Sequence, residues 1–387
     1  MVGVFLFFLY LNNIKINFIP YFSVLPFFIM GVVIFFLNYK VVKREYLHIF
    51  TIIFIIISAY LVSCLVNQVF LIDYIKQIPI LFLFCFFSSY FLVFLCIKFF
   101  HKINNFFLII LISIVFQITI SLIGFTIPLA YSFIFSIIDI GLQANQLQSF
   151  NDARVVGVGA SFFGAGVLNS FFIVLMTILF QQGYLKNKFI FIFIFIFISI
   201  LGLLLSRTTI IGVALSILII LSNILKKNNS IFIFIGFLCS LIFLTILPVI
   251  LSSSERIANI AEFGFQFIYD FENSQAHSSA SEIPRMLENM PDNILTWIIG
   301  DTHYMNNYGG YYKGIDVGYL RLIYANGLIG LILFIYLHFY LIVNNKIFFG
   351  YRKYIFILFL LLNIKGVANL VPFLILLFIY DKEVIQN

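Results

Sequence analysis

Residues 189–205 read FIFIFIFIFISILGLLL, an apolar run without a charged side chain. A helix needs about 20 predominantly apolar residues to cross the hydrocarbon core of a bilayer, and this run approaches that length. The whole chain has the same character, because 63% of its 387 residues are hydrophobic and only 10% are charged. Soluble domains carry about 25% charged residues. The composition therefore excludes a soluble globular enzyme, a disordered chain and a nucleic-acid-binding protein.

Similar apolar runs recur from one end of the chain to the other. Those of spanning length lie at 18–38, 47–67, 78–97, 106–127, 160–182, 208–225, 231–251 and 317–343. A shorter run covers 2–11, and a final run, 354–380, is interrupted by Lys365 and Gly366. Inside a membrane, only helices and closed barrels provide hydrogen-bond partners for all backbone N–H and C=O groups, and these runs are too long for barrel strands. We predict an all-α fold: a polytopic integral membrane helical bundle of about 11–12 transmembrane helices with one large outer (periplasmic) loop.

Basic residues indicate the orientation of the chain. Lys and Arg cluster in alternate loops, at 40–44, 98–102, 186–188, 226–227 and 346–353. Because cytoplasmic loops are enriched in Lys and Arg, these five are predicted to lie inside and the loops between them outside. The predicted regions are a transmembrane bundle over 1–251 with an outer loop at 128–159, a large periplasmic loop over 252–316, and C-terminal transmembrane helices over 317–387.

Several kinds of function are disfavoured by what the sequence lacks. It has no P-loop, no HExxH and no GxSxG motif. Charges are missing from the middle of the spans, where an ion-coupled transporter would be expected to show them. The few deep polar residues, such as Gln117 and Asn169, are predicted to form hydrogen bonds between helices. Because the predicted cytoplasmic loops are too short to hold a domain, the function is expected on the outer face.

Four arginines fall on the predicted outer side, although the positive-inside bias disfavours them there. They are Arg154, Arg207, Arg285 and Arg321. Snorkelling and loop salt bridges are the ordinary explanations, and Arg285 fits them because Glu282 and Glu288 are close in sequence. A planar guanidinium group binds phosphate oxygens with two parallel hydrogen bonds. Arg154 and Arg207 therefore favour a site for a lipid diphosphate headgroup.

The start of the helix after the large loop carries a second set of unusual residues. Residues 314–321 read GIDVGYLR, and residues 326–330 read NGLIG. In one interpretation Asp316 is a helix N-cap and the glycines allow close helix packing. In the other, this combination marks a reaction site, because it follows directly on the long outer loop.

The combined layout resembles the O-antigen polymerase (Wzy-type) family of bacterial polysaccharide polymerases. One matching feature is the dominant outer loop late in the chain. Three short motifs match as well: Ser206-Arg207-Thr208, Asp316-Val317-Gly318-Tyr319-Leu320 and Gly327-Leu328-Ile329-Gly330. The family also resembles this chain in an Arg before a Pro and an aliphatic-Gly pair late in the loop (Arg285, Pro291 and Ile298-Ile299-Gly300), and in a Lys in the penultimate hairpin (Lys365). One departure is that family loops have an Arg followed by ten residues and a Gly. Here nine residues separate Arg154 from Gly164, and eleven separate it from Gly166.

The resemblance implies a reaction and its partners. Such a polymerase joins oligosaccharide repeat units carried on undecaprenyl diphosphate, as a multi-pass protein at the outer face of the inner (plasma) membrane. A hydroxyl of one unit attacks the anomeric carbon of the growing chain, and undecaprenyl diphosphate leaves. The implied partners are the lipid-linked oligosaccharide, membrane lipids, a chain-length regulator and a flippase, with no nucleic acid. No metal or other cofactor is expected, because the leaving group is already activated.

The site must supply positive charge for the diphosphate and a base for the attacking hydroxyl. The arginines expected to bind the diphosphate are Arg154 and Arg207, assisted by Arg321 or Arg285. The candidate bases are Asp316 first, then His303 and Asp301.

Two other functions are compatible with this layout. O-antigen ligases share it but show a His-Asn pair where this chain has Asp316-Val317, which favours the polymerase. A flippase for lipid-linked repeat units would show short, even loops and charges in a central cavity, and the large loop over 252–316 argues against it.

Overall fold

The computed structural model describes residues 2–12, 14–16, 24–38, 43–99, 103–139, 155–224, 288–306 and 310–385. In chain order the helices are α1 (Val2–Leu11), α2 (Val24–Leu37), α3 (Arg44–Asn67), α4 (Asp73–Phe99), α5 (Ile103–Thr126), α6 (Pro128–Ile137), α7 (Phe162–Gln181), α8 (Lys188–Leu205), α9 (Thr209–Ile224), α10 (Ile294–Ile299), α11 (Gly318–Val343), α12 (Arg352–Lys365) and α13 (Val371–Tyr380). Two short strands, β1 (Lys15–Ile16) and β2 (Ile138–Asp139), pair antiparallel.

Six of these helices are long and apolar enough to cross a membrane, namely α3, α4, α5, α7, α8 and α11. This confirms the predicted all-α, polytopic membrane fold. Helices α1, α2 and α9 are apolar but shorter. The predicted total of about 11–12 spans includes the run 231–251, which lies outside the described residues together with most of the loop 252–316.

The chain divides into two compact units, each made of two separate segments. The first contains Met1–Val24 and Leu95–Gln275, and the second contains Leu25–Phe94 and Ala276–Asn387. Both units are therefore discontinuous in sequence.

In the first unit, helix α7 packs closely against α8 and α9. A Cβ atom on Gly212 would lie 2.6 Å from the carbonyl oxygen of Ser170, and one on Gly166 would lie 2.7 Å from Cβ of Thr208. Ser170 also donates a hydrogen bond to the carbonyl of Thr208 (3.0 Å). Small residues thus hold the turn between α8 and α9 against the first part of α7.

The segment 155–161 is fixed to helix α5 of the first unit. The amide of Val158 donates to Oγ of Ser121 (2.9 Å), and Nε2 of Gln117 donates to the carbonyl of Ala160 (3.2 Å). The side chain of Gln117 therefore donates its hydrogen bond to a loop and not to another helix. Asn169 is buried, and neither polar atom of its side chain has a hydrogen-bond partner in the described part of the chain. The predicted hydrogen bond to another helix is therefore wrong for Gln117, and for Asn169 it stays a prediction.

In the second unit, charged groups tie together one end of the helices. Lys43 lies 3.7 Å from Glu383, Lys382 lies 3.5 Å from Glu45, and the amide of Lys346 donates to Asp381. The loops before α3 and after α11, both predicted to be cytoplasmic, therefore share this end. The side of the membrane on which it lies stays a prediction.

The opposite end of the second unit holds the last part of the large loop. The side-chain amide of Asn67 donates to the carbonyl of Gly300 (2.9 Å), and the hydroxyl of Tyr60 donates to the carbonyl of Thr302 (3.1 Å). Both donors belong to α3. The segment around residues 300–304 is thus fixed to the end of a membrane helix.

Helix α11 is interrupted at Asn326 and Gly327, where Gly327 has φ +64°. The end of α10 fits into this break: a Cβ atom on Gly300 would lie 2.7 Å from the amide nitrogen of Gly327. The carbonyl of Tyr324, just before the break, accepts a hydrogen bond from the amide of Asp301 (2.7 Å). The two glycines are needed because any side chain would separate these segments.

The final apolar run, 354–380, forms two helices and not one. Helix α12 ends at Lys365, and residues 366–370 connect it to α13. The side chain of Asn363 exchanges hydrogen bonds with the backbone of Ala368 (3.1 and 3.4 Å), and Nε2 of His338 accepts one from the amide of Leu370 (3.2 Å). These bonds satisfy backbone groups that would otherwise be unpaired in an apolar environment.

Candidate functional site

The second unit brings four of the seven predicted site residues to the end where α10, the loop after it and the start of α11 meet. These residues are Asp301, His303, Asp316 and Arg321. Arg154 and Arg285 lie outside the described residues, and Arg207 belongs to the first unit.

Arg321 lies in the first turn of α11 and is only 7% exposed. Its Cζ atom is 3.9 Å from the ring centre of Tyr311 and 4.5 Å from that of Tyr304. Within the described residues, no carboxylate oxygen lies within 4.0 Å of its guanidinium nitrogens, and Nε has no hydrogen-bond partner. Aromatic rings attract the cation but do not neutralise it. Arg321 is thus a buried positive charge without an ion pair in this part of the chain.

Asp316 is a half-buried carboxylate just before α11. The N-cap position of α11 is occupied by Val317, whose carbonyl accepts from the amide of Arg321, and no side chain caps the helix. The N-cap interpretation of Asp316 is therefore wrong, because the helix begins two residues later. Burial raises the pKa of Asp316, and the positive charges of Arg321 and Lys365 oppose this shift.

Lys365 is near Asp316 because two backbones pack in direct contact. A Cβ atom on Gly318 would collide with the carbonyl of Gly366 and would lie 2.8 Å from that of Asn363. Tyr319 strengthens the contact by donating to the carbonyl of Leu360 (2.6 Å). Gly318 thus allows the C-terminal end of α12, which carries the positively charged Lys365, to approach the Asp316 carboxylate.

Asp301 and His303 have different surroundings. Oδ1 of Asp301 accepts a hydrogen bond from Thr296 (2.5 Å), so this carboxylate already holds α10 in place. The carbonyl of Asp301 accepts a hydrogen bond from Nδ1 of His303 (2.7 Å). Because a carbonyl only accepts, Nδ1 carries the hydrogen, and the neutral ring has its lone pair on Nε2. His303 is thus better placed than Asp301 to accept a proton.

Tyrosines and a lysine complete the site. Tyr312 stacks on His303 with ring centres 4.8 Å apart, and Nζ of Lys313 lies 4.5 Å from the ring centre of Tyr324 and 3.3 Å from its hydroxyl. Burial raises the pKa of Tyr312, and the carboxylate of Asp301 adds to this. Sequence reasoning missed these residues; the density of tyrosines at the end of the large loop was the available signal.

Two residues of the site have strained backbones. Thr302 has φ +65° and Lys313 has φ +53°, a conformation that L-residues other than Asn and Asp rarely adopt. Thr302 is β-branched, which makes this conformation still less favourable. Such strain is found most often at functional sites, where the surrounding structure enforces it.

Among the residues that the structure describes, no three His, Cys, Asp or Glu side chains lie together as a metal site requires. The expectation that no metal or other cofactor takes part stays a prediction.

Arg207 lies in the turn between α8 and α9 of the first unit, and its side chain is partly exposed. The turn is fixed by its neighbours: the hydroxyl of Thr209 donates to the carbonyl of Gly202 (3.0 Å), and the carbonyl of Thr208 is bonded by Ser170. Arg207 is thus presented by a rigid turn.

No protein-family model, curated protein or solved structure matches this chain.

Proposed function

We propose that the protein is a membrane glycosyltransferase that polymerises oligosaccharide repeat units carried on undecaprenyl diphosphate, at the outer face of the inner membrane. The product is an O-antigen, capsular or secreted polysaccharide. The observation that supports this proposal most directly is the buried Arg321, which has no ion pair among the described residues and whose charge lowers the pKa of the half-buried Asp316.

Arg321 has the properties that a diphosphate site needs. Removing a charge from water is costly unless an opposite charge compensates it. Two tyrosine rings pack against the guanidinium group. Its Nε–H has no partner among the described residues and can donate a hydrogen bond to a ligand oxygen that lies in the plane of the group. An incoming diphosphate supplies the missing negative charge and accepts such hydrogen bonds in pairs. Positive charge fixed at this point also stabilises the charge that develops as the diphosphate departs.

Asp316 has the properties that a base needs. Its raised pKa brings its basicity closer to neutral pH, where proton transfer is most efficient. In the proposed reaction the bond between the anomeric carbon and the diphosphate oxygen breaks, and its electron pair leaves with undecaprenyl diphosphate. The attacking hydroxyl forms the new glycosidic bond and gives its proton to Asp316. Nε2 of His303 is the alternative acceptor for this proton.

Incubation of the purified protein with lipid-linked repeat units tests the proposal. The units are extracted from host cells that lack the gene, where they accumulate if the protein is the polymerase. We expect longer glycans on undecaprenyl diphosphate. Transfer of the glycan to a different lipid would identify a ligase, and transbilayer movement without a covalent change would identify a flippase.

Lys365→Met is expected to shift the acid side of the pH–activity profile to higher pH. The charge of Lys365 lowers the pKa of Asp316, so its removal raises that pKa, and a base must be deprotonated to act. Activity is then lost at a higher pH as the solution is acidified. Initial rates across an acidic to neutral series measure the shift. Lys353→Met, at the other end of α12, is the matched control, and identical profiles for all three proteins would exclude Asp316 as the titrating base.

A further inference from the structure

Tyr311 stands at the border between the buried arginine and the outside of the protein. Its backbone forms a β-bridge with Met305, and its carbonyl accepts from the amide of Gly314 (3.0 Å). Its ring centre lies 3.9 Å from Cζ of Arg321. The position of the ring is therefore fixed by the backbone on one side and by the guanidinium group on the other.

Tyr311 differs from the other tyrosines of the site in its exposure. Tyr311 is 41% exposed, whereas Tyr304 is 5% and Tyr324 is 1% exposed. The hydroxyl of Tyr324 donates to the carbonyl of Asn289 (2.7 Å), but the hydroxyl of Tyr311 makes no hydrogen bond with residues that the structure describes. Tyr304 and Tyr324 are thus part of the packing, while Tyr311 presents aromatic surface to a ligand.

We propose that Tyr311 binds the first sugar of the lipid-linked donor by stacking against its ring; this inference rests on the proposed function. The face of an aromatic ring is negative, so it attracts the partly positive C–H bonds on the apolar face of a sugar. The sugar next to the diphosphate must lie beside whatever surface borders the phosphate site. If the diphosphate binds Arg321, the exposed aromatic surface at that border belongs to Tyr311.

A second role of Tyr311 has to be separated from this one, because its ring also positions Arg321. The two roles affect different parts of the substrate. Loss of a sugar contact weakens binding of the free glycan, whereas displacement of Arg321 weakens binding of a sugar-free diphosphate. Tyr311→Phe keeps the ring for both contacts, and Tyr311→Ala removes it.

The test measures binding of two probes to the full-length protein in lipid nanodiscs, by saturation-transfer NMR and competition. One probe is the oligosaccharide released by mild acid from the lipid-linked units of the gene-deleted host, and the other is undecaprenyl diphosphate without sugar. The matched control is Tyr336→Ala, because Tyr336 is 42% exposed and lies on the part of α11 remote from the site.

We expect Tyr311→Ala to bind the free glycan about fivefold more weakly than the wild type, as the loss of one aromatic contact predicts. Tyr311→Phe and Tyr336→Ala should bind it normally. Unchanged glycan binding by Tyr311→Ala, or weaker binding of the sugar-free diphosphate alone, would overturn the inference. The wild type's elongation activity decides the proposed function separately, since neither binding measurement requires turnover.

Discussion

Cells that carry Asp316→Asn are expected to display single repeat units in place of long polysaccharide chains, with normal amounts of the protein in the membrane. Asparagine keeps the size of the side chain but cannot accept a proton. Loss of a general base typically costs about 10²–10⁴ in rate. The polysaccharide ladder on a gel measures the result, and membrane immunoblots measure the protein.

The structure makes this experiment interpretable, because Asp316 does not cap α11. The substitution therefore removes no capping hydrogen bond, and a shortened ladder cannot be attributed to a lost cap. Asp292→Asn is the matched control, since Asp292 is an exposed carboxylate of the same loop. A normal ladder in Asp316→Asn would exclude this residue as the base, and the same assay on His303→Gln would then examine the second candidate.

Arg321→Ala is expected to abolish elongation, and Arg321→Lys to leave a small part of it. Removing one fixed donor from a developing negative charge typically costs about 10²–10³ in rate. Lysine keeps the charge but has neither the planar pair of donors nor the flat surface that packs against Tyr304 and Tyr311. Titration with undecaprenyl diphosphate should show weaker binding for both variants.

Arg352→Lys provides a closely matched control for Arg321. Arg352 also lies over an aromatic ring, that of Phe349, and its Nε also has no partner among the described residues. It is the first residue of α12, at the opposite end of the helix from Lys365, and is therefore remote from Asp316. We expect Arg352→Lys to elongate normally. Full-length polysaccharide from Arg321→Ala would exclude Arg321 from the site.

Long apolar runs predicted the helices well, because spanning length is set by bilayer thickness. The runs 160–182 and 317–343 match α7 and α11 to within two residues at each end. Interruptions within a helix were harder to predict. The Asn326-Gly327 pair is a recognised turn signal, but only the contact with Gly300 explains why the helix is interrupted there. Such breaks depend on a partner segment that is distant in sequence.

The candidate site could be predicted only in part, for a similar reason. Asp316 and Arg321 were found because they are close in sequence at a helix start. The packing of Tyr304 and Tyr311 against Arg321 depends on the folding of the loop, which sequence spacing does not reveal. The different surroundings of Asp301 and His303 depend on single hydrogen bonds, which no motif encodes.

The attachment of the loop to α3 has a consequence for biosynthesis. Asn67 reaches Gly300 across 233 residues, and Tyr60 reaches Thr302 across 242. A ribosome that adds about 5–20 residues per second delivers these partners roughly ten seconds or more after α3 has been made. Asn67 also donates to the carbonyl of Ser63 (2.9 Å) and Tyr60 to that of Leu71 (2.6 Å), so both side chains have partners close in sequence during that interval. A nascent chain that terminates before Gly300 would therefore be released without a completed site, so premature stop codons should yield inactive fragments.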